Sequence, residues 1–269
     1  MSAGDVDARE AYHRFAVELA QHAAGVIAAA RPSAAHAATK VDASDWVTPF
    51  DRAVEIDIRD RIAARYPSHV IVGEEFGRTD AAGEDTLAWH LDPIDGTLNF
   101  VHGVPWVSFS LALADRDGVL VGVVADVHRG EVYSAIRDRG AFIDDARVTC
   151  ATAERMEGGV FLTEWSRQSP WPGMYRYLDR IAAVPAGTRI MGSCALALAL
   201  VGVGRATGTV LAGHYNSWDV YAGALIAREG GASIFSARGP DDGVPMDGVL
   251  AAPPAIAPML WRAWTGEGT

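Results

Sequence analysis

The sequence predicts an α+β fold in which helices and mainly antiparallel sheets are stacked in layers. Helical and strand patterns interleave along the chain without a regular βαβ repeat, which argues against a Rossmann or barrel fold. Apolar segments separated by short polar turns recur in mid-chain and are typical of an antiparallel meander (106–114, 119–126, 131–136 and 141–143). With 269 residues, the chain can form one large domain or two closely packed lobes.

The composition is that of an ordinary soluble globular protein, with 49% hydrophobic and 21% charged residues. The net charge of −11 opposes binding to nucleic acid. No apolar run approaches the ~20 residues of a membrane span. From the net charge we expect no nucleic-acid partner, and from the lack of an apolar run we expect no membrane partner. The polar N-terminus argues against a signal peptide, and the two cysteines, Cys150 and Cys194, fit a reducing compartment. We therefore expect a cytoplasmic protein.

Two helices are predicted at the start of the chain. Residues 8–30 carry an apolar stripe at helical spacing, and residues 33–46 form a small, polar loop that contains Lys40, the only lysine. Thr48-Pro49 is typical of a helix start, and apolar residues continue from there at a spacing of four (Val54, Ile58, Ile62 and Tyr66).

Two predicted strands then end in acidic residues. The strand over 70–72 is followed by Gly73-Glu74-Glu75. An apolar segment over 87–91 runs into Asp92 and Asp95, which are three residues apart. This second acidic pair is the feature around which the remaining motifs are arranged.

Gly96 and Thr97 directly follow the acidic pair. Glycine permits a tight, closely approaching backbone, and Thr97 supplies a hydroxyl at a predicted helix start. Hard oxygen ligands beside backbone N–H groups suit metal ions and a phosphate. Because Asp, Pro and Gly are also ordinary turn residues, a plain strand-to-turn connection is the alternative for this stretch taken alone.

The second half of the chain alternates short strands and helices. Strands are predicted over 158–163, 188–191, 208–211, 232–235 and 248–251. Helices are predicted over 174–183, 193–203, 218–229 and 254–264. The segments 164–173 and 237–247 are predicted to be loops.

Acidic residues recur at strand ends and helix starts: Asp51, Glu74, Glu75, Asp92, Asp95 and Asp219. Each alone has a structural explanation, such as a capping box at Asp51 or Asp219 or a solvated loop at Glu74. Strand ends and helix starts at one edge of a sheet are nevertheless where sites assemble. Clustered carboxylates repel one another unless hard cations neutralise them, and the eight scattered histidines offer no zinc-ligand spacing. The pattern therefore indicates magnesium.

Together, these motifs resemble the inositol monophosphatase family, within the magnesium-dependent, lithium-sensitive phosphatase superfamily. The motifs occur in the family's order: Val47-Thr48-x-x-Asp51 with Glu55, Gly73-Glu74-Glu75, Asp92-Pro93-Ile94-Asp95-Gly96-Thr97 with Asn99-Phe100, and Trp218-Asp219 with Ala222-Gly223 and Glu229-Gly230. The resemblance covers nearly the whole chain. It implies a layered αβαβα fold of the sugar-phosphatase-like type, in one unit over 1–269. Lobe 1–150 would carry most metal ligands, and lobe 151–269 would carry the substrate pocket and Asp219.

The resemblance also implies roles for individual residues. Two to three Mg²⁺ ions would be held per active site by Glu74, Asp92, the carbonyl of Ile94, Asp95 and Asp219. The catalytic group would comprise Thr97 and Asp51, which orient the attacking water and help to deprotonate it, together with Glu74. Backbone N–H groups of Gly96 and Thr97 would receive the phosphate, and Gly192, Ser193 and Cys194 would line the pocket around the alcohol. Lys40 would act electrostatically near the metals.

The function implied is hydrolysis of a small polyol phosphate, with inositol 1-phosphate as the default substrate and a homodimer as the expected assembly. Histidinol phosphate, a sugar or cyclitol phosphate and a nucleotide 3′-phosphate stay open as substrates. Departures from the family pattern at Ala197, Ala212 and Ala232 concern substrate recognition and spare the metal ligands. A bisphosphatase would need a further basic group, for which Arg167 and Arg189 are candidates. A non-catalytic regulator of the same fold is the alternative from a different class.

Overall fold

Alternating layers of helices and sheets make up the computed structural model, which describes residues 3–31, 38–39, 46–80, 87–166 and 169–267. The helices are α1 Ala3–Ala29, α2 Pro49–Arg65, α3 Thr97–His102, α4 Met174–Ala182, α5 Cys194–Gly202, α6 Ser217–Glu229 and α7 Ala257–Thr265. No helix in these ranges is long and apolar enough to cross a bilayer. The predicted contributions of Lys40 and Arg167 fall outside the described residues.

The larger sheet lies in the first half of the chain. Its strands are β3 Val70–Gly73, β4 Gly77–Arg78, β5 Ala88–Asp95, β6 Ser108–Asp115, β7 Gly118–Asp126, β8 Glu131–Ile136, β9 Gly140–Ile143 and β10 Ala146–Val148. They are arranged in the order β10-β9-β8-β7-β6-β5-β3-β4. Only the pair β3–β5 is parallel among these strands, so the predicted antiparallel meander is confirmed. A separate antiparallel pair, β1 Ala38–Thr39 and β2 Trp46–Val47, precedes α2.

The smaller sheet lies in the second half. Its strands are β11 Val160–Thr163, β12 Gly187–Ile190, β13 Gly208–Leu211, β14 Ser233–Ser236, β15 Gly239–Pro240 and β16 Val249–Ala252. They are arranged in the order β12-β11-β13-β16-β14-β15. Strand β11 runs parallel to both of its neighbours, and the other pairs are antiparallel.

Helix contacts define five layers within the described ranges. Helices α1 and α2 cover the outer face of the larger sheet, α5 and α6 lie between the two sheets, and α4 and α7 cover the smaller sheet. Three clusters of buried apolar side chains fill the spaces between these layers. The layered αβαβα fold with mainly antiparallel sheets is therefore confirmed. The division into lobes 1–150 and 151–269 stays a prediction.

The start of α2 shows how local sequence chemistry sets an element. The backbone N–H of Phe50 donates to the Thr48 hydroxyl at 3.1 Å, and the Thr48 N–H donates to Asp51 Oδ2 at 2.8 Å. Pro49 in the first turn has no N–H to satisfy. The capping box anticipated at this helix start is confirmed, and it places a buried carboxylate at a fixed point above the sheet.

The middle helix layer depends on apolar sequence on all sides. Residues 195–202 of α5 are all buried, because α6 and both sheets surround this helix. A helix that is apolar on every face is stable only when it is enclosed in this way. As a result, α5 lies enclosed between α6 and the two sheets along its whole length.

We expect Tyr177→Phe to stabilise the protein by about 1 kcal/mol, because it removes a buried hydroxyl that lacks a compensating hydrogen bond. Tyr177 in α4 is fully buried, and no described group bonds its hydroxyl. Urea denaturation at constant m-value measures the change. The matched control is Tyr133→Phe, whose hydroxyl donates to Glu131 at 2.9 Å and should cost stability when removed. A clearly destabilised Tyr177→Phe would contradict the assignment.

Candidate functional site

The predicted acidic residues come together where β3 and β5 end and several helices begin. Asp92 and Asp95 lie in β5, and Glu74 directly follows β3, its parallel neighbour. The Glu74 N–H donates to the Leu91 carbonyl at 3.2 Å, which places Glu74 beside Asp92. Asp219 lies in the first turn of α6, a helix that packs on β5. The expected convergence at one edge of the sheet is therefore present.

A bulge in β5 lets both aspartates face the same side. Residues three apart in a regular strand point to opposite faces. Here Asp92 pairs with Ser110 and Asp95 pairs with Ser108. The segment of β5 between these pairs is therefore one residue longer than the segment of β6 opposite it. The extra residue turns Asp95 back to the side of Asp92. The strand was expected to end before the aspartates; instead β5 continues through both of them.

Asp95 is fixed by donors from the helix layer between the sheets. Its Oδ2 accepts from the Ser193 hydroxyl at 2.5 Å and from the Ala195 N–H at 2.8 Å. The Ser108 hydroxyl on β6 approaches the same oxygen at 3.3 Å. These bonds tie the larger sheet to the start of α5. Ser193 is the N-cap of that helix and is fully buried.

Asp51 and Thr97 form a second hydrogen-bonded unit. The Thr97 hydroxyl lies 3.0 Å from Asp51 Oδ1 and 3.0 Å from the Ile94 carbonyl, and can donate to either. Asp51 Oδ2 is already engaged by the Thr48 hydroxyl at 2.6 Å. The cap of α3 is Gly96, with φ of 93°, so the Thr97 hydroxyl does not cap the helix as expected. It bonds groups of the site instead.

Glu55 holds the turn that carries Glu74. Its Oε2 accepts from the Glu75 N–H at 2.8 Å, and its Oε1 accepts from the Phe76 N–H at 3.1 Å. Arg59 donates to the same carboxylate at 2.8 Å. A Cβ at position 73 would lie 2.1 Å from Glu55 Oε1, so Gly73 leaves room for this buried acid. Glu55 thus acts as a structural support for the site.

The electrostatics of the acidic cluster favour a cation. Burial raises the pKa of Asp92 well above its usual range, and the like charges of Glu74, Asp95 and Asp219 raise it further. Burial raises the pKa of Asp219 to about 8, and it also raises the pKa values of Asp51 and Asp95. Within the described residues, no arginine or lysine forms an ion pair with Asp92, Asp95 or Asp219. Ionising these acids is therefore costly in the ion-free chain, and a bound cation would offset that cost.

The donor set fits Mg²⁺ better than an ion that needs a complete protein cage. In the described part of the chain, no group of three His, Cys, Asp or Glu side chains is arranged to hold a metal ion by itself. Some of their oxygens are engaged by the protein, as in the 2.7 Å bond from the Asn216 N–H to Asp219 Oδ2. Mg²⁺ commonly binds one or two carboxylates, keeps several waters and takes further ligands from substrate phosphate.

The predicted substrate segment 192–194 packs directly against the acidic strand end. A Cβ at Gly96 would lie 3.0 Å from the Trp106 carbonyl and 3.1 Å from the Gly192 carbonyl, so glycine permits this close approach. Gly192 is exposed, with φ of 86°. Cys194 lies near the acids, and burial together with Asp95 raises the pKa of its thiol. Gly96, Gly192, Ser193 and Cys194 therefore lie beside the acidic strand end, and their part in substrate binding stays a prediction.

Two residues of the site were not assigned a role from the sequence. Glu164 directly follows β11 and accepts from the Gly192 N–H at 2.5 Å, although residues 164–173 were predicted only as a loop. Asn99 donates to the Met191 carbonyl at 2.6 Å and to the Trp106 carbonyl at 2.9 Å. The signal for Glu164 was available, because it is an acid directly after a strand, as Glu74 is.

The departures from the family pattern lie in packed positions. Ala197, Ala212 and Ala232 are all buried among apolar neighbours. The basic candidate Arg189 donates to the Thr188 carbonyl at 2.9 Å on the surface. These three buried alanines therefore offer no polar group to a substrate hydroxyl.

Comparisons with known proteins agree with this geometry. A model of the inositol monophosphatase family matches residues 8–268. The Nus factor SuhB of Pasteurella multocida is 35% identical over 215 residues, covering 79% of this chain and 80% of that protein. The inositol monophosphatase of Mesembryanthemum crystallinum is 32% identical over 227 residues, covering 82% and 83%. The crystal structure of the extragenic suppressor protein suhB from Bartonella henselae has a TM-score of 0.85 at 27% identity, covering 96% and 100%.

Proposed function

Because the chain belongs to the inositol monophosphatase family, we propose that it is a Mg²⁺-dependent phosphomonoesterase that hydrolyses a small polyol phosphate. The observation that carries this proposal is the convergence of acids on the end of β5, where the half-buried Glu74 and Asp219 and the buried Asp95 all raise the pKa of the buried Asp92. Inositol 1-phosphate is the substrate we would test first, since one relative is named inositol monophosphatase.

The residues that would hold Mg²⁺ are the side chains of Glu74, Asp92, Asp95 and Asp219 and the carbonyl of Ile94. When bound, the ions would supply Lewis-acid stabilisation of phosphate oxygens and lower the pKa of a bound water. Family members use Mg²⁺, and the number of ions, two to three, is part of the proposal.

Thr97 and Asp51 would handle the proton of the attacking water. The Thr97 hydroxyl can donate to Asp51 Oδ1 at 3.0 Å, which directs an oxygen lone pair of Thr97 away from Asp51. A water can then donate to Thr97, and its proton can pass through the hydroxyl to the carboxylate. Burial raises the pKa of Asp51, which favours uptake of that proton. Glu74 would belong to the catalytic group as well as to the metal ligands.

Backbone and pocket groups would bind the ester. The N–H groups of Gly96 and Thr97 lie at the start of α3, where backbone donors favour an anion. Gly192 and Cys194 would contact the alcohol portion, and the Ser193 side chain is committed to Asp95. Lys40 would add positive potential. Histidinol phosphate, sugar or cyclitol phosphates and nucleotide 3′-phosphates are the alternative substrates, because Ala212 offers no polar contact to inositol hydroxyls.

A release assay tests the proposal. Phosphate is measured from a panel of the ester classes above, with MgCl₂ and with EDTA. We expect Mg²⁺-dependent release from at least one class and inhibition by submillimolar to millimolar Li⁺, as the family resemblance implies. Release that is equal in EDTA would contradict the metal requirement, and Li⁺ insensitivity with Mg²⁺ present would count against the family mechanism.

A second candidate function is that of a Nus factor, which is favoured by the name of the Pasteurella multocida relative. In a strain that lacks the gene, complementation separates the two functions. Rescue by an inactive Asp95→Asn variant would support the non-catalytic function, and loss of rescue would support the phosphatase. The homodimer, the cytoplasmic location and the absence of a nucleic-acid partner stay predictions alongside it.

We expect MgCl₂ to raise the melting temperature more at pH 8 than at pH 6. Burial raises the pKa of Asp219 from 3.8 to about 8, so the ion-free folded chain holds protons that the unfolded chain has released. Stability without ions therefore falls as the pH rises through this window. Mg²⁺ needs the deprotonated acids, so its binding strengthens over the same range. Thermal melts with MgCl₂, and with NaCl at equal ionic strength, check this; equal Mg²⁺ shifts at both pH values would contradict it.

A further inference from the structure

Glu164 is a buried acid whose hydrogen bonds all go to one turn of the backbone. It is 2% exposed and directly follows β11. The Met191 N–H lies 3.1 Å from Oε2, and the Gly192 N–H lies 2.5 Å from the same oxygen. Burying a carboxylate is costly unless polar groups bind it. Burial accordingly raises its pKa to about 8, against these bonds.

The turn that Glu164 holds leads directly to Asp95. Asn99 fixes the carbonyl side of the turn through Met191 O at 2.6 Å, while Glu164 fixes the N–H side. The next residue is Ser193, whose hydroxyl donates to Asp95 Oδ2 at 2.5 Å. Because the backbone at 191–192 is held from both sides, these bonds fix the position of the Ser193 hydroxyl that donates to Asp95.

We propose that Glu164 is a positioning residue that orients Asp95 for Mg²⁺ through the Met191–Gly192 turn and the Ser193 hydroxyl. This inference rests on the proposed function, because it takes Asp95 as a metal ligand. Removal of a group that hydrogen-bonds a metal ligand commonly weakens metal binding by about 10- to 100-fold. Glu164 belongs to the half of the chain that holds the smaller sheet, so it links that sheet to an acid of the larger one.

The chain contains a matched control for a purely structural role. Glu229 accepts from the backbone N–H groups of Asp138 at 2.8 Å, Arg139 at 3.1 Å and Gly140 at 2.7 Å. It therefore holds a turn in the same chemical manner, but this turn joins β8 to β9. If Glu164 only stabilised the fold, loss of either carboxylate would have the same effect on Mg²⁺ binding.

The test is calorimetric titration of the full chain with MgCl₂ alone, without substrate. We expect Glu164→Ala to weaken Mg²⁺ binding by about 10-fold or more. Glu164→Gln keeps one acceptor oxygen and should give a smaller loss. Glu229→Ala should bind Mg²⁺ as the wild type does. Should Glu164→Ala fail to fold, the comparison of Glu164→Gln with Glu229→Gln decides in its place.

A double-mutant cycle tests the route through Ser193. If Glu164 acts through that hydroxyl, Glu164→Ala/Ser193→Ala should bind Mg²⁺ as weakly as Ser193→Ala alone. The inference would be overturned if the double variant showed the product of the two single losses in Mg²⁺ affinity. It would also be overturned by wild-type affinity in both Glu164 variants, or by an equal loss in the Glu229 variant. A wild-type chain that binds no Mg²⁺ would overturn the proposed function as well, so the two failures are distinguishable.

Discussion

Asp95→Asn should lower Mg²⁺-dependent phosphate release by about 10³-fold or more, since loss of a ligand charge removes several kcal/mol of transition-state stabilisation. The fold should persist. The new side chain keeps an oxygen that can accept from Ser193 and Ala195, which bond Asp95 Oδ2 at 2.5 and 2.8 Å. Initial rates across a MgCl₂ series measure the loss.

The same variant should also melt at a higher temperature in EDTA. Asp95 is one of the like charges that raise the pKa of Asp92, so removing it relieves repulsion in the ion-free chain. Asp241→Asn is the matched control, because Asp241 caps the Gly243 N–H at 2.8 Å in an exposed turn. Near wild-type turnover by Asp95→Asn would refute its assigned role. An equal loss of turnover in Asp241→Asn would show that the rate responds to loss of any carboxylate and not to loss of a metal ligand.

Thr97→Val should reduce kcat by about 10²- to 10⁴-fold, the usual contribution of a positioned proton-transfer group, with little change in KM. Valine matches threonine in shape but lacks the hydroxyl that lies 3.0 Å from Asp51 Oδ1. Thr97→Ser retains that hydroxyl and should keep most of the activity. Steady-state kinetics of both variants at saturating Mg²⁺ separate the loss of a proton route from a loss of packing.

Thr209→Val supplies the comparison for the Thr97 variant. Thr209 in β13 is buried, and its hydroxyl donates to the Leu162 carbonyl at 3.1 Å. This bond lies within the smaller sheet, whereas the acidic strand end belongs to the larger sheet. This variant should lose stability and keep kcat. If Thr97→Val retained kcat within a few-fold of the wild type, or if Thr209→Val lost as much, the proposed proton route through Thr97 would be wrong.

Much of the fold follows from local sequence signals. The meander is bounded by polar turns, and the capping box at Thr48 and Asp51 sets the start of α2 within a residue of expectation. Strand β13 coincides with the predicted range, 208–211. These elements were predictable because apolar periodicity and helix caps act over a few residues, and the structure around them agrees with both.

Other features depend on contacts that a linear pattern does not contain. The short strands β4, β10 and β15 form only because a neighbouring strand is present to pair with them. The bulge between Asp92 and Asp95 arises from the register against β6. The role of Glu164 depends on a turn 27 residues later in the chain, at Met191. Spacing in sequence could suggest the acids of the site, but not which of them support others.

The bulge in β5 also limits how this protein can diverge. A single-residue deletion between Asp92 and Asp95 would remove the bulge and shorten the path from Asp92 to the turn at Gly96 by one residue, although the two carboxylates would still share a face. Drift in this segment is therefore confined to exchanges of side chains at constant length. Changes of chain length that alter substrate preference would therefore arise outside this segment.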